Sequence, residues 1–335
     1  MRTEAQKPSL VIILGPTASG KSELAVQLAE RFHGEIVNAD SMQVYCGMEI
    51  GTAKPSAEMR RRVPHHLIDI VEPDIDFSAA DFRNEAARAI ADITGRGRTV
   101  FIAGGTGLYI KALLQGLVDS PSGAGSVRRE LEEKARTFGS EALLRELAQV
   151  DPVTAGRLHP NDLVRIVRAL EVYRLTGRPI SRERSEHGFA GDYYRTLKIG
   201  LTMERGELYE RIDRRVDGMI AAGLEGEVRT LLGRGFSPRL KALRAIGYRQ
   251  MCAYLSGEYG LDEAIRLIKR DTRHYAKRQL TWFKTDNEIY WVEYSENFAS
   301  ICEHVIDFLV KGEVHGKGTL QHSGPVSEPV AQGEG

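Results

Sequence analysis

Cysteine is scarce in this chain of 335 residues: only Cys46, Cys252 and Cys302, with no CxxC pair and no Cys/His spacing suited to zinc. That excludes a disulfide scaffold and leaves free thiols, as expected of a cytoplasmic protein. Long hydrophobic runs are missing as well. Leu10–Leu14 and Val100–Ala103 fall far short of the ~18 apolar residues of a membrane span, and no signal-peptide core follows the charged N-terminus. There is no repeat of fixed period. Charge of one sign is absent from the total, where 46 basic residues meet 46 acidic ones. A neutral sum argues at first sight against a polyanionic partner.

What is present is an alternation of short apolar strands and amphipathic helices. Ser9–Leu14, Glu35–Ala39, His66–Val71 and Thr99–Ala103 read as strands, Lys21–Phe32 and Ala79–Ile93 as helices. Such spacing predicts a parallel α/β sheet covered by helices on both faces. Asp119–Ser126, rich in Pro, Gly and Ser, reads as a linker. Beyond it the pattern is helical and charged. Leu163, Ile166, Val167, Leu170 and Tyr173 form one stripe, with Asn161 and Asp162 as N-cap and Gly177 as stop. Arg182–Tyr194 reads as a loop, Arg195–Leu201 as a strand and Ile289–Val292 as another. The expected division is an α/β core at 8–118, a helical insertion at 119–195, the core's continuation at 196–312, and a disordered polar tail at 313–335.

Gly15-Pro16-Thr17-Ala18-Ser19-Gly20-Lys21-Ser22 matches GxxxxGK[ST] between a strand and a helix. In that setting backbone N–H groups turn inward around a phosphate, and the helix N-terminus adds its dipole. Lys21 adds a point charge, and the Ser22 hydroxyl can ligate Mg²⁺. An ordinary glycine turn is the bland alternative. A nucleotide hydrolase also needs a carboxylate at the end of a later strand, but the candidate, TVFIAGGTG, ends in glycine and threonine, and NKxD is absent. The expected fold is therefore like that of P-loop nucleoside-triphosphate hydrolases, with a transferase gripping a phosphate or diphosphate.

Asp40 follows the second strand at the carboxyl edge, where ligands of open parallel sheets bind. A carboxylate there can take a proton from a nucleophile, or simply cap a turn. Thr106, after the fourth strand, reaches the same edge. Its hydroxyl can bond a leaving oxygen or serve as a plain turn residue.

These motifs, with NADSMQVYCGMEIGTAKP at 38–55, PHHLIDI at 64–70, FSAADF at 77–82, GGTGLYIKALLQG at 104–116, HPNDLVRIVRALEVY at 159–173, GLEGEV at 223–228, RAIGYRQM at 244–251 and AKRQLTWF at 276–283, resemble the tRNA dimethylallyltransferases (isopentenyltransferases). The resemblance implies that the loop binds the diphosphate of dimethylallyl diphosphate rather than ATP, with Mg²⁺. It implies transfer to the N6 amine of the adenosine 3′ of a tRNA anticodon, forming N6-isopentenyladenosine. By the same resemblance Asp40 is the catalytic base, Thr106 lies near the bridging oxygen, and Lys21 and Arg215 hold the diphosphate. Contacts to the tRNA anticodon stem-loop map to Asp40, Ser41, Met42, Gln43 and Thr106, to Val164, Arg165, Ile166, Val167 and Arg168, and to Arg128. Without a zinc-finger cysteine pattern, a bacterial, cytoplasmic form is expected, and a monomer is the default. The alternatives are a P-loop small-molecule kinase with ATP in the loop, an adenylate isopentenyltransferase, and a non-enzymatic RNA-binding module.

The neutral total hides a basic segment. Arg239–Lys284 holds eleven basic residues against four acidic ones, while residues 286–335 hold nine acidic against two. At about 100° per residue, Arg266, Lys269, Arg270, Arg273 and Lys277 share one arc, opposite Ile268, Tyr275 and Trp282. A single-sign ridge of this kind, Arg270, Arg273 and Lys277 above all, predicts phosphate-backbone binding. A solvated charged face is the plainer reading. Tyr248 and Arg249 form a cluster suited to unstacked bases, or Tyr248 packs in the core.

Overall fold

The computed structural model describes residues 7–117, 125–187, 191, 193–293 and 298–311. The elements run β1 (Ser9–Leu14), α1 (Lys21–Arg31), β2 (Gly34–Asn38), α2 (Ala57–Arg62), β3 (His65–His66), α3 (Ala79–Gly95), β4 (Thr99–Gly104) and α4 (Gly107–Gln115). Five helices follow: α5 (Ser126–Phe138), α6 (Ser140–Val150), α7 (Pro152–Ala155), α8 (Leu163–Thr176) and α9 (Ile180–His187). Then come β5 (Arg195–Thr202), α10 (Arg205–Ala221), α11 (Leu224–Gly233), α12 (Tyr248–Leu255), α13 (Leu261–Phe283), β6 (Ile289–Glu293) and α14 (Phe298–Lys311).

All six strands are parallel, in the order β3-β2-β4-β1-β5-β6. Leu10–Leu14 of the central β1 are fully buried, which is why the strand is apolar at every position rather than at alternate ones. On one face α1 and α14 pack Leu24, Leu28, Val305 and Phe308 against Val11, Ile13 and Ile199. Elsewhere Ala276 of α13 meets Leu208 and Ile212 of α10, together with Ala18 of the phosphate loop.

The chain divides into two compact units, one of residues 1–77, 88–107 and 195–335, the other of 78–87 and 108–194. The second is helical and has its own core, in which Leu131, Leu143, Leu147, Ile166, Val167 and Leu170 interlock. The linker and tail expected from composition fall largely on 118–124 and 312–335, outside the described residues.

Two expectations need correction. The third strand shrinks to His65–His66, with one isolated parallel bridge at Tyr45–Val71, because Leu67 (φ 62°) and Asp69 (φ 56°) take left-handed backbone that breaks a strand. The segment read as a loop from Arg182 begins inside a helix, α9. Its first turn is held by Asp151, whose Oδ2 accepts the Ser181 N–H at 3.0 Å, while Ile180 is buried.

Candidate active site

β1 ends at Leu14 and the chain wraps around a loop before α1 starts at Lys21. Gly20 (φ 90°) makes the left-handed turn into the helix, a conformation that costs other residues energy. Gln279 of α13 spans this loop and the one after β4. Its Oε1 accepts the Thr17 N–H at 2.8 Å, and its Nε2 donates to the Gly105 carbonyl at 2.9 Å.

The ends of β2 and β4 are stitched together. The Ala39 N–H donates to the Ala103 carbonyl at 2.7 Å, and the Thr106 N–H to the Ala39 carbonyl at 3.2 Å. A Cβ on Gly104 would lie 2.2 Å from the Ala39 carbonyl oxygen, so only glycine permits this approach. The stitching brings Asp40 and Thr106 side by side. Thr106 Oγ1 accepts the Ser41 N–H at 3.0 Å, and Asp40 Oδ1 accepts the Met42 N–H at 2.8 Å. Asp40 does cap its own turn, then, but among the described residues no hydrogen bond ends on its second oxygen.

A cavity of about 400 Å³ opens over the phosphate loop, lined by Thr17, Lys21, Ser22, Asp40, Arg215 and Gln279 among others. A second cavity, of about 290 Å³, lies beside it, lined by Asp40, Ser41, Met42, Thr52, Arg244 and Tyr275 among others. Asp40, Thr17, Thr52, Arg215 and Tyr275 face both. The second cavity is the more apolar one, walled also by Val216, Met219 and Ile268.

The charges around the first cavity are unbalanced. Enclosure by protein lowers the Lys21 ammonium to about 8; Arg215 adds repulsion and Asp40 partly restores it. Arg215 is lowered by the same desolvation, with Asp40 opposing. Lys21 donates only to the Pro16 carbonyl, at 3.1 Å, and among the described residues neither cation forms an ion pair. Two enclosed cations that share one nearby carboxylate, Asp40, and form no direct ion pair favour binding of an anion. Tyr275 is raised by burial and by the Asp40 carboxylate, so it stays a neutral phenol, with Thr106 and Gln279 in hydrogen-bonding reach.

A family model described as IPP transferase matches residues 43–286. A tRNA dimethylallyltransferase 2 of Geotalea uraniireducens is 70% identical over 303 residues, 90% of this chain and 98% of that protein. A second, from Geotalea daltonii, is 63% identical over 97% of this chain and all of its own length. The chain belongs to the IPP transferase family. It is accordingly a transferase. Among solved structures, the full-length tRNA isopentenylpyrophosphate transferase of Bacillus halodurans matches with a TM-score of 0.66 and 43% identity, covering 91% of this chain and 96% of that one. A eukaryotic dimethylallyltransferase acting on tRNA matches with a TM-score of 0.77 and 29% identity, covering 95% and 82%.

Within this IPP transferase the expected nucleic-acid contacts fall into three kinds. Val164 (69% exposed) and Arg165 stand at the surface of α8, Arg165 paired with Asp162. Arg128 is half-buried on α5 and pairs with Glu132. Ile166 and Val167 are fully buried in the helical unit's core, and Arg168 is tied to the buried Glu171 at 2.8 Å. Ile166 and Val167 are therefore packing residues, because the face of α8 they occupy is its apolar one. Tyr248 is likewise fully buried, and its hydroxyl donates to Glu227 Oε1 at 2.6 Å, so it is a core tyrosine and not a base-stacking one.

The cationic ridge on α13 is real in position but not single-sign in space. Lys269 pairs with Asp217 (2.7 Å) and Arg273 with Asp213, both from α10, whose sequence lies some fifty residues upstream. Arg266 pairs with Glu263, and Arg249 and Arg270 share Asp271. Only Lys277 of the five is left without an ion pair among the described residues. Trp282, placed by helical spacing on the side opposite the cations, is 44% exposed. Gln279, Tyr275 and Arg244, which line the cavities, and Glu227, which holds the backbone of the wall residue Gly51, carry no role in the sequence reading. The motifs AKRQLTWF, RAIGYRQM and GLEGEV, which hold Gln279, Arg244 and Glu227, were the available signal; Tyr275 lies just outside the first of them.

Proposed function

We propose that this protein transfers the dimethylallyl group of dimethylallyl diphosphate to the N6 amine of an adenosine beside the anticodon of tRNA. The observation that carries the reading is Asp40, which lines both the phosphate-loop cavity and the more apolar cavity beside it. The diphosphate lies against the loop N–H groups, Lys21 and Arg215, the two unpaired cations. The adenine enters the second cavity, with its amine toward the unbonded oxygen of Asp40.

An adenine amine is a weak nucleophile, so the allylic C–O bond must loosen early, placing positive charge on carbon and negative charge on the leaving diphosphate. Lys21 and Arg215 are fixed where that negative charge grows, which is preorganised electrostatic catalysis. As the C–N bond forms, the amine proton passes to Asp40. Thr106, hydrogen-bonded to the Ser41 backbone, keeps its hydroxyl at this edge for the bridging oxygen. Among the described residues no cluster of three His, Cys, Asp or Glu could hold a metal alone. Mg²⁺ fits as an ion brought with the diphosphate, and the Ser22 hydroxyl, which lines the cavity, would be the protein group to hold it. Bound there, the ion would add further charge neutralisation to the leaving group.

A kinase reading is less well supported, because β4 ends in Ala103 and Gly104 and supplies no strand-end carboxylate for a nucleotide-bound metal. The test is incubation with dimethylallyl diphosphate and total tRNA, followed by mass spectrometry of digested nucleosides. Isopentenyladenosine is expected from the wild type. Asp40→Asn is expected to bind tRNA normally with turnover reduced about 10²–10⁴-fold. Near wild-type turnover would remove Asp40 as the base.

A further inference from the structure

Behind the second cavity lies a carboxylate that neither the loop nor the proposed chemistry uses. Glu227, in the first turn of α11, accepts three consecutive backbone N–H groups: Glu49 at 2.8 Å and Ile50 at 2.7 Å on Oε2, and Gly51 at 3.1 Å on Oε1. The Tyr248 hydroxyl adds a fourth donor, at 2.6 Å on Oε1. Burial and the adjacent carboxylate keep that phenol protonated, so it serves as donor. A carboxylate held by four hydrogen bonds defines the position of whatever donates them.

What donates them is the outer wall of the site. Gly51 and Thr52 line the second cavity, and Thr52 and Ala53 line the first. The Tyr248 ring occupies the space where a Cβ on Gly51 would stand, 2.5 Å from Cε2, so the ring and the glycine backbone are in direct contact. Gln43 closes the same loop from inside, its Nε2 donating to the Thr52 and Ala53 carbonyls at 3.1 and 3.2 Å. On the other side, the Gly247 N–H preceding Tyr248 donates to Gln250 Oε1 at 2.9 Å. Gln250 Nε2 then reaches Asp271 of α13 at 2.8 Å. Glu227 thereby joins α11, α12 and the wall loop, and through Gln250 the helix that carries Tyr275 and Gln279.

We propose that Glu227, with Tyr248, is a positioning residue that fixes the Glu49–Thr52 backbone as the wall against which the acceptor base is seated. The inference rests on the reading of the second cavity as the acceptor's. It assigns no proton transfer to Glu227, whose oxygens are committed to the four donors.

The experiment measures steady-state kinetics for both substrates, with hydrogen exchange of the amides at residues 49–51, in Glu227→Ala, Glu227→Gln and Tyr248→Phe. Wild-type isopentenyladenosine formation is established first; its absence would refute the functional reading and not this one. Expected for Glu227→Ala is a rise of about tenfold or more in KM for tRNA. KM for dimethylallyl diphosphate should stay within about twofold, and the 49–51 amides should lose protection. Glu227→Gln, which keeps an acceptor oxygen for two of the amides, should recover part of the loss. Tyr248→Phe, which removes one donor and little volume, should move KM for tRNA in the same direction by less and remains informative if Glu227→Ala does not fold. Equal changes in both KM values, or a loosened 49–51 backbone with KM for tRNA unchanged, would overturn the proposal.

Discussion

The protonation of Lys21 offers a quantitative test of the anion site. Enclosure and the neighbouring Arg215 bring its ammonium from 10.5 to about 8 in the free protein. A bound diphosphate reverses that balance by placing negative charge beside it, so binding favours the protonated form and must draw a proton from solvent. With a free-state value of about 8, roughly half the lysines are neutral at pH 8, and uptake there should approach half a proton per diphosphate analogue bound. From pH 7 to pH 9 the protonated fraction falls from about nine-tenths to about one-tenth, so affinity should drop about tenfold. The assay is calorimetric titration of a non-reactive dimethylallyl diphosphate analogue in two buffers of different ionisation enthalpy. The slope against that enthalpy gives the protons taken up. Lys21→Arg keeps a cation that does not titrate in this range and should abolish the uptake. The sign for stability is opposite to that of a paired lysine: the unfolded chain binds more protons between pH 8 and 10.5. The ligand-free protein should thus gain stability as pH rises through that window. Wild-type binding with no proton uptake at pH 8, or uptake unchanged in Lys21→Arg, would refute the assignment.

Two further outcomes follow from the charge pairing. Glu35, a buried residue of β2, is held at about 2 chiefly by its hydrogen bond to Arg96, against the cost of burial, with His66 at 2.7 Å adding to the effect. Because its folded value is depressed, the stability it gives is complete above about 4.5 and disappears as pH falls toward 2. Glu35→Gln should flatten the dependence of Tm on pH within that window, and parallel wild-type and variant curves would show that the pairing contributes nothing. On α13, Lys277→Gln should reduce the slope of log affinity for tRNA against log salt by about one. Arg273→Gln should change it less, because Asp213 already neutralises Arg273. A larger effect at Arg273 would mean that tRNA displaces that aspartate.

The parts of this protein that could be read from sequence are those in which neighbours in the chain are neighbours in space. Eight consecutive residues make the phosphate loop, and a parallel strand places the residue after it at a known edge. Asp40 and Thr106 could therefore be named without knowing the sheet order. The unread parts depend on contacts across long separations. Gln279 meets Thr17 across 262 residues and Glu227 meets Ile50 across 177, and no periodicity in either segment announces its partner. The burial of Tyr248, Ile166 and Val167 was hidden for a related reason: a motif marks a residue as belonging to a site without telling whether it touches the ligand or supports what does.

The cationic ridge shows the same gap in electrostatic form. Helical spacing correctly gathers Arg266, Lys269, Arg270, Arg273 and Lys277 onto one arc, but the field that a polyanion meets depends on charge from every packed element. Asp213 and Asp217 of α10 lie against the ridge and neutralise two of its members, Glu263 and Asp271 of α13 itself two more. A neutral total thus conceals a basic helix, and the basic helix in turn conceals its own compensation. Attraction for tRNA cannot be assigned by counting arginines on α13; it must fall on the cations left uncompensated. By that criterion Lys277, one turn from Arg273 and on the same helix as Gln279, is expected to contribute more to phosphate binding than Arg273, a difference that helical spacing does not show and that rests on the distant Asp213.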